Sequence, residues 1–288
     1  MVASPARSSP MRVVSSRKRQ IREGSMPNSG VIILSAPDRK EIGTGKTHDP
    51  MRLALAQDAN LSDCVHCIAT ICQCNYFEDM LASTFASLRK KRVTEIAGSR
   101  HLCAKSLLPQ FVTRMIRLMN ITEKDTFYDL GCGNGSILFQ VAYMTGAKCV
   151  GVELLPHNAE LAREAWNSMK PILERHSGRK MPEVEIVSGD LSLVINDPAF
   201  IADGNKAVMT SNMLFPKSLT HFMSERFRAM PVGSRILCFD DLYPHSRSVA
   251  AIRDPEAFQK FDMMDYIWQE MSVEWTTAEG KFYIHTRV

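Results

Sequence analysis

The chain has 288 residues, 45% of them hydrophobic, and a net charge of +4. That is the balance of a globular protein with room for one large α/β domain and an extra segment, and its mild basicity only weakly suggests a polyanionic partner. No apolar run has the length of a membrane span, the N-terminus lacks the apolar stretch of a secretory signal, and the eight scattered cysteines fit reduced thiols inside a cell.

Residues 1–30 are rich in Ser, Pro, Gly and Arg and read as a disordered tail. Arg17, Lys18, Arg19 and Arg22 form its basic cluster, either an import or nucleic-acid patch or a solvated tail. Gly43-Thr-Gly-Lys-Thr47 imitates the end of a phosphate loop, but the loop needs glycine at position 40, which is Lys40. Residues 31–105 read as a mostly helical segment, with a helical stretch over 50–92. Cys64, Cys67, Cys72 and Cys74 lie there with His66. Helical geometry turns Cys72 and Cys74 to different sides and no second ligand pair is visible, so buried thiols are favoured over a metal. Arg89-Lys-Lys-Arg92 reads as an exposed basic helix end. Leu107–Asn120 is an amphipathic helix leading into a domain over 106–288.

From Phe127 strands and helices alternate. The pattern predicts strands at 127–131, 148–152, 184–188, 207–211 and 235–239, and helices at 137–145, 157–175, 217–229 and 255–262. Such alternation implies a parallel sheet with right-handed crossovers. Glu270–Trp275 and Phe282–Thr286 read as a closing antiparallel hairpin.

The chemistry concentrates at Phe127-Tyr-Asp-Leu-Gly-Cys-Gly-Asn-Gly-Ser136. A strand runs into Gly131, Gly133 and Gly135, and Ser136 is positioned to cap the next helix. Glycines admit a ligand close to the backbone, and a helix start offers N–H groups. A dinucleotide site wants G-x-G-x-x-G, whose third glycine falls on Ser136. The pattern D-x-G-x-G-x-G, with Asp129 at its head, instead resembles motif I of the seven-stranded S-adenosylmethionine-dependent methyltransferases. Glu153, 18 residues after Gly135, ends the second strand as an acceptor for ribose hydroxyls. Asp190, ending the third, can accept from an adenine amine, with Leu191 against the ring.

The fourth strand ends in Thr210-Ser-Asn-Met-Leu-Phe-Pro216, without the Asn/Asp-Pro-Pro-aromatic run of base-amino methyltransferases. Asn212-x-x-Phe215, Ser224-Glu-Arg-Phe-Arg-Ala-Met230, Gly233-Ser-Arg-Ile236, Ser272-Val-Glu-Trp-Thr276 and Tyr283-Ile-His-Thr286 follow in order. Together they resemble the non-SET histone H3 lysine methyltransferases of the disruptor-of-telomeric-silencing (Dot) family. The resemblance covers about Val112 to Thr286. It implies a doubly wound, mostly parallel seven-stranded α/β sheet and S-adenosylmethionine as the cofactor, with no metal. It further implies a nucleosomal H3 lysine as substrate, basic segments on DNA phosphates, and nuclear action. Asp129, Gly131 and Glu153 would hold the methionine end and ribose. Ser211 and Asn212 would stand by the reacting methyl group. Phe215, Trp275, Phe282 and Tyr283 belong to the implied lysine channel. The family's asparagine pair is Ser-Asn here, its channel tyrosine aligns with Phe282, and its upstream Tyr-Gly-Glu loop falls by spacing near Lys105 and Ser106 without a match. An RNA or small-molecule methyltransferase of the same fold, or a non-catalytic cofactor-binding chromatin module, stays open as an alternative.

Overall fold

A computed structural model describes residues 73–97, 99, 105–245, 249–268, 270 and 272–288. The basic tail, the false phosphate loop and Cys64, Cys67 and Cys72 lie outside these residues, and Cys74 enters only through the backbone of the first helix.

Seven strands form one sheet. They are β1 (Asp125–Leu130), β2 (Lys148–Glu153), β3 (Val184–Ser188), β4 (Asn205–Thr210), β5 (Arg235–Cys238), β6 (Phe261–Trp268) and β7 (Gly280–Arg287), in the order β3-β2-β1-β4-β5-β7-β6. The first five run parallel, and β7 is antiparallel to both β5 and β6. This is the doubly wound sheet that the alternation predicts.

Side-chain alternation feeds two cores from one sheet. Phe127, Cys149, Ala207 and Leu237 meet α1 (Gln73–Ser87), α2 (Pro109–Leu118), α3 (Ser136–Thr145) and α4 (Pro156–Ser177). Tyr128, Leu130, Val150 and Ile236 meet the short helices α5 (Ser192–Ile195) and α6 (Pro198–Ile201), together with α7 (Lys217–Phe227). Two further short helices, α8 (Ala250–Arg253) and α9 (Pro255–Lys260), lead into β6. Because α3 presses on the sheet, β2 carries Gly151. A Cβ there would lie 2.3 Å from Leu138 Cδ1 and 2.8 Å from Cys132 Sγ.

The predicted helix over 50–92 is seen in its described part as α1, which ends at Ser87. Lys91 Nζ donates to the carbonyls of Phe85, Ala86 and Leu88, closing that end. Residues 91–96 then run without regular structure. Phe77 is fully buried and its ring stacks on Tyr143 at 5.3 Å, so α1 shares the core of the sheet.

The hairpin differs from expectation. Its first strand is β6, not Glu270–Trp275, and α9 stops at Lys260 where a helix to 262 is predicted. The run Phe-Asp-Met-Met-Asp-Tyr-Ile-Trp alternates buried and half-buried positions, and two aspartates mask its strand character. Residues 272–276 form no strand, and their bridges are isolated ones from Val273 to Leu107 and to Thr276.

One of those aspartates, Asp265, is buried because a partner waits for it. His245 Nε2 lies 2.7 Å from Asp265 Oδ1. The other face of His245 meets Asp241 at 3.3 Å, and Asp241 also meets His285 Nε2 at 3.3 Å. Burial alone would lower the His245 pKa. The hydrogen bond and charge of Asp241 outweigh burial and push it up to about 9. A histidine raised in the folded state stabilises fully below its unfolded pKa and loses that contribution as pH rises through the folded one. Denaturant unfolding should therefore show stability falling between about pH 6.5 and about 9, and His245→Gln should remove that part of the slope. An identical slope in the variant would refute the assignment.

Candidate active site

The carboxyl ends of β1, β2, β3 and β4 surround a cavity of about 260 Å3. Ligands of open parallel sheets bind at this edge. The floor is the turn after β1. Gly131 has φ +105°, a region that L side chains rarely adopt, and a Cβ there would meet the Phe215 ring at 3.4 Å. The N–H groups of Gly131 and Cys132 both donate to Val152 O at 2.9 Å. Gly133 N donates to Glu153 Oε2 at 2.9 Å, and Gly135 N to Cys132 O at 2.8 Å. The turn thus spends the N–H groups of these four positions on itself and on β2; the N–H groups expected at the helix start, from Ser136 onward, are not among them.

Glu153 ends β2 with each oxygen anchored, Oε2 by Gly133 N and Oε1 by Leu155 N at 2.9 Å. Burial raises its pKa, and these two backbone bonds act in the opposite direction. A carboxylate oxygen can accept more than one bond, so the pair keeps capacity for two hydroxyls. Asp190 is exposed at the end of β3, its Oδ1 accepting from Ser192 N at 2.8 Å, and Leu191 lines the cavity beside it.

Asp129 is the anomaly. It is fully buried and neither carboxylate oxygen has a hydrogen-bond partner. Burial first, and then the nearby charge of Glu153, push its pKa up to about 8. A buried carboxylate without a partner is costly. A ligand ammonium would relieve it, and S-adenosylmethionine brings one at its amino-acid end. Acid at two strand tips, an orphaned acid behind the turn and an apolar wall at Ile137 and Leu191 fit that cofactor.

The structure brings Gly131, Gly133, Glu153, Asp190, Leu191, Ser211 and Phe215 together around the cavity. Gly135, with φ +81°, takes the cap position of α3, and no side chain caps the helix. Ser136, expected as the cap, is its first residue, and its Oγ meets Ser106 Oγ at 3.1 Å. Asn212 is buried behind the cavity wall. Its Oδ1 accepts from Phe239 N and Asp240 N at 2.9 Å, and its Nδ2 donates to Asp240 O at 2.8 Å. That amide is committed to the segment after β5 and does not line the cavity.

The aromatic residues divide. Phe215 lines the cavity. Phe282 is fully buried, edge-on to Phe111 at 5.1 Å and stacked on Tyr266 at 5.2 Å. Tyr283 points to the other face of the sheet by strand alternation and packs in the second core. Trp275 is half-buried, edge-on to Phe239 at 5.5 Å. Of these four only Phe215 lines the cavity; Phe282 belongs to the core, and Trp275 and Tyr283 are half-buried against it.

Sequence reasoning missed Arg92, Asn134, Pro216 and Leu219, all of which line the cavity with Lys105 and Ser106. Asn134 lies inside the glycine motif, and for Lys105 and Ser106 the signal in the sequence is the spacing of the unmatched loop. The sequence reads Arg92 as part of an exposed run, yet its side chain is only 18% exposed. Among the described residues no group of His, Cys, Asp and Glu is arranged to hold a metal ion, and no helix is long and apolar enough to cross a membrane.

A sheet of this order, with its acid-and-glycine turn at the carboxyl edge, is the fold of the class I S-adenosylmethionine methyltransferases. Within that class the chain belongs to the family described as histone methylation protein DOT1, which matches residues 103–287. Curated relatives from several organisms carry the name histone-lysine N-methyltransferase, H3 lysine-79 specific. The one from Drosophila melanogaster is 22% identical over 180 residues, covering 61% of this chain and 9% of the relative. That from Aspergillus fumigatus is 24% identical over 185 residues, covering 63% and 36%. That from Chaetomium globosum is 25% identical over 181 residues, covering 63% and 34%. The chain therefore spans well under half the length of these curated relatives.

Cofactor binding should depend on pH through Asp129. An ammonium binds its ionised form, so below a ligand-free pKa of about 8 each binding event must release a proton. Calorimetry with S-adenosylhomocysteine should show affinity rising as pH goes from 6 to 8, by up to about tenfold per unit. The slope should vanish in Asp129→Asn; a slope unchanged in that variant would rule Asp129 out.

Proposed function

We propose that the protein transfers methyl groups from S-adenosylmethionine to a lysine in the core of histone H3 on nucleosomes. The observation that carries this reading is the coincidence of the family match with the cavity: all the strand tips that surround it fall within residues 103–287. The relatives' printed name gives the substrate class. Nuclear action and docking of basic segments on DNA phosphates follow from a nucleosomal substrate. Residues 106–288 act as the methyltransferase domain in this reading, behind the segment 31–105 and the basic tail 1–30.

Asp129 takes the ammonium of the cofactor's amino-acid end, Glu153 the ribose hydroxyls, and Asp190 with Leu191 the adenine. Bound there, the cofactor supplies an electrophilic methyl group on a positively charged sulfur. The chain's own task is to deliver a neutral amine in line with it. A free lysine has a pKa of about 10.4, and only its unprotonated form is a nucleophile. The apolar wall at Phe215, Pro216 and Leu219 disfavours the ammonium and lowers that pKa. Ser211, at the end of β4, is the polar group for the arriving amine. Asn212 acts through the backbone: by clamping Phe239 and Asp240 it fixes the strand tips between which the amine must fit. Positioning supplies much of the rate, because reacting atoms held in line need no further ordering.

The test is methyl transfer from labelled S-adenosylmethionine to nucleosomes, free H3 and bulk RNA in parallel. Label should enter H3 within nucleosomes, and Asp129→Asn should lower turnover by about a hundredfold through misplacement of the cofactor. Label in RNA alone would overturn the histone reading and keep the fold. No label anywhere, with normal cofactor binding, would favour a binding module.

A further inference from the structure

This inference rests on the proposed cofactor and concerns the other charge at its amino-acid end. S-adenosylmethionine carries a carboxylate beside its ammonium. The glycine turn is the obvious acceptor of anions, but the N–H groups of Gly131, Cys132, Gly133 and Gly135 are spent on Val152 O, Glu153 and Cys132 O. These four N–H groups leave the carboxylate to other donors that line the cavity, and a cation suits its charge best. Among the described residues lining the cavity, the cations are Arg92 and Lys105. Lys105 is tied to Glu95 at 2.7 Å.

Arg92 is held more firmly. The next residue, Val93, is gripped by both atoms of the fully buried Asn158 amide: Val93 N donates to Oδ1 at 2.9 Å and Nδ2 donates to Val93 O at 3.0 Å. Arg92 Nη2 donates to Glu274 Oε2 at 2.7 Å. The same oxygen accepts from Ser106 N at 2.7 Å, and Glu274 N donates to Ser106 O at 3.0 Å. Arg92 thus lines the cavity on a segment anchored by Asn158 of α4 and by Glu274. It stands on the wall shared with a second cavity of about 340 Å3, where Ser106, Asn134 and Ile137 also stand. A guanidinium offers five N–H donors in a fixed fork that suits a carboxylate, and Glu274 engages only Nη2.

We propose that Arg92 binds the cofactor's carboxylate and that Glu274 is its positioning residue. The two ends of the amino-acid group are then read by different parts of the chain, the ammonium by Asp129 behind the glycine turn and the carboxylate by Arg92. A lone basic residue in a run of four carries the contact that the glycine turn does not make.

The experiment is calorimetry on the full chain with S-adenosylhomocysteine, its decarboxylated analogue and methylthioadenosine, which lacks the whole amino-acid group. In Arg92→Met, S-adenosylhomocysteine should weaken by about tenfold to a hundredfold, the worth of a charge-assisted pair, while the two carboxylate-free ligands keep their affinity and report an intact fold. Arg92→Lys should recover part of the loss, and Glu274→Gln should show the same ligand-selective pattern at smaller amplitude. Equal loss for all three ligands, or none, would overturn the assignment while leaving the cofactor reading intact. Failure of the wild-type chain to bind any of the three would instead overturn the cofactor reading itself, and this inference with it.

Discussion

The Glu153 carboxylate joins the two turns on which the cavity depends. One oxygen holds the glycine turn after β1 through Gly133 N, and the other holds the start of α4 through Leu155 N. Val152 O, one residue earlier, pins Gly131 and Cys132. The tip of β2 therefore sets the shape of the tip of β1. Hydrogen bonds to a buried charged group are stronger than those between neutral groups, and here one acid serves two neighbouring loops. The floor is preorganised and spends little of its donor capacity on a ligand. In the proposed reading, recognition therefore falls on side chains around the floor, the acids at the strand tips and Arg92.

The part of the site carried by local sequence was readable in advance. Asp129, the three glycines, Glu153 and Asp190 each sit at a strand end, and a strand buried on both faces announces itself by continuous apolar residues. The turn needs glycine for backbone reasons that do not depend on distant parts of the chain. The five parallel strands and the larger helices were legible on the same grounds, with ends shifted by a few residues at most.

What was not legible depends on packing. Phe282 and Tyr283 are adjacent, so one must face each core, and only the neighbours Phe111 and Tyr266 decide that Phe282 turns inward. Asn212 stands at the expected strand tip, but its amide finds the backbone of residues 239 and 240. β6 was hidden because Asp265 breaks its apolar pattern, and its partner His245 is twenty residues away. Arg92 looked like a solvated charge because Glu274 and Asn158, which bring it inward, are far off in the chain. Tertiary contacts override local preference at each of these positions.

The sheet order also constrains when the protein can fold. β7 is the last of the seven strands in sequence, yet it lies between β5 and β6 rather than at an edge. β6 has no other strand to pair with, so it cannot join the sheet until residues 280–287 arrive. During synthesis β1 to β5 can assemble while β5 still presents an open edge with Ile236 and Leu237 beside it. Until residues 280–287 have left the ribosome the nascent chain exposes a template for wrong pairing, and an unpaired strand edge at that stage is prone to aggregation.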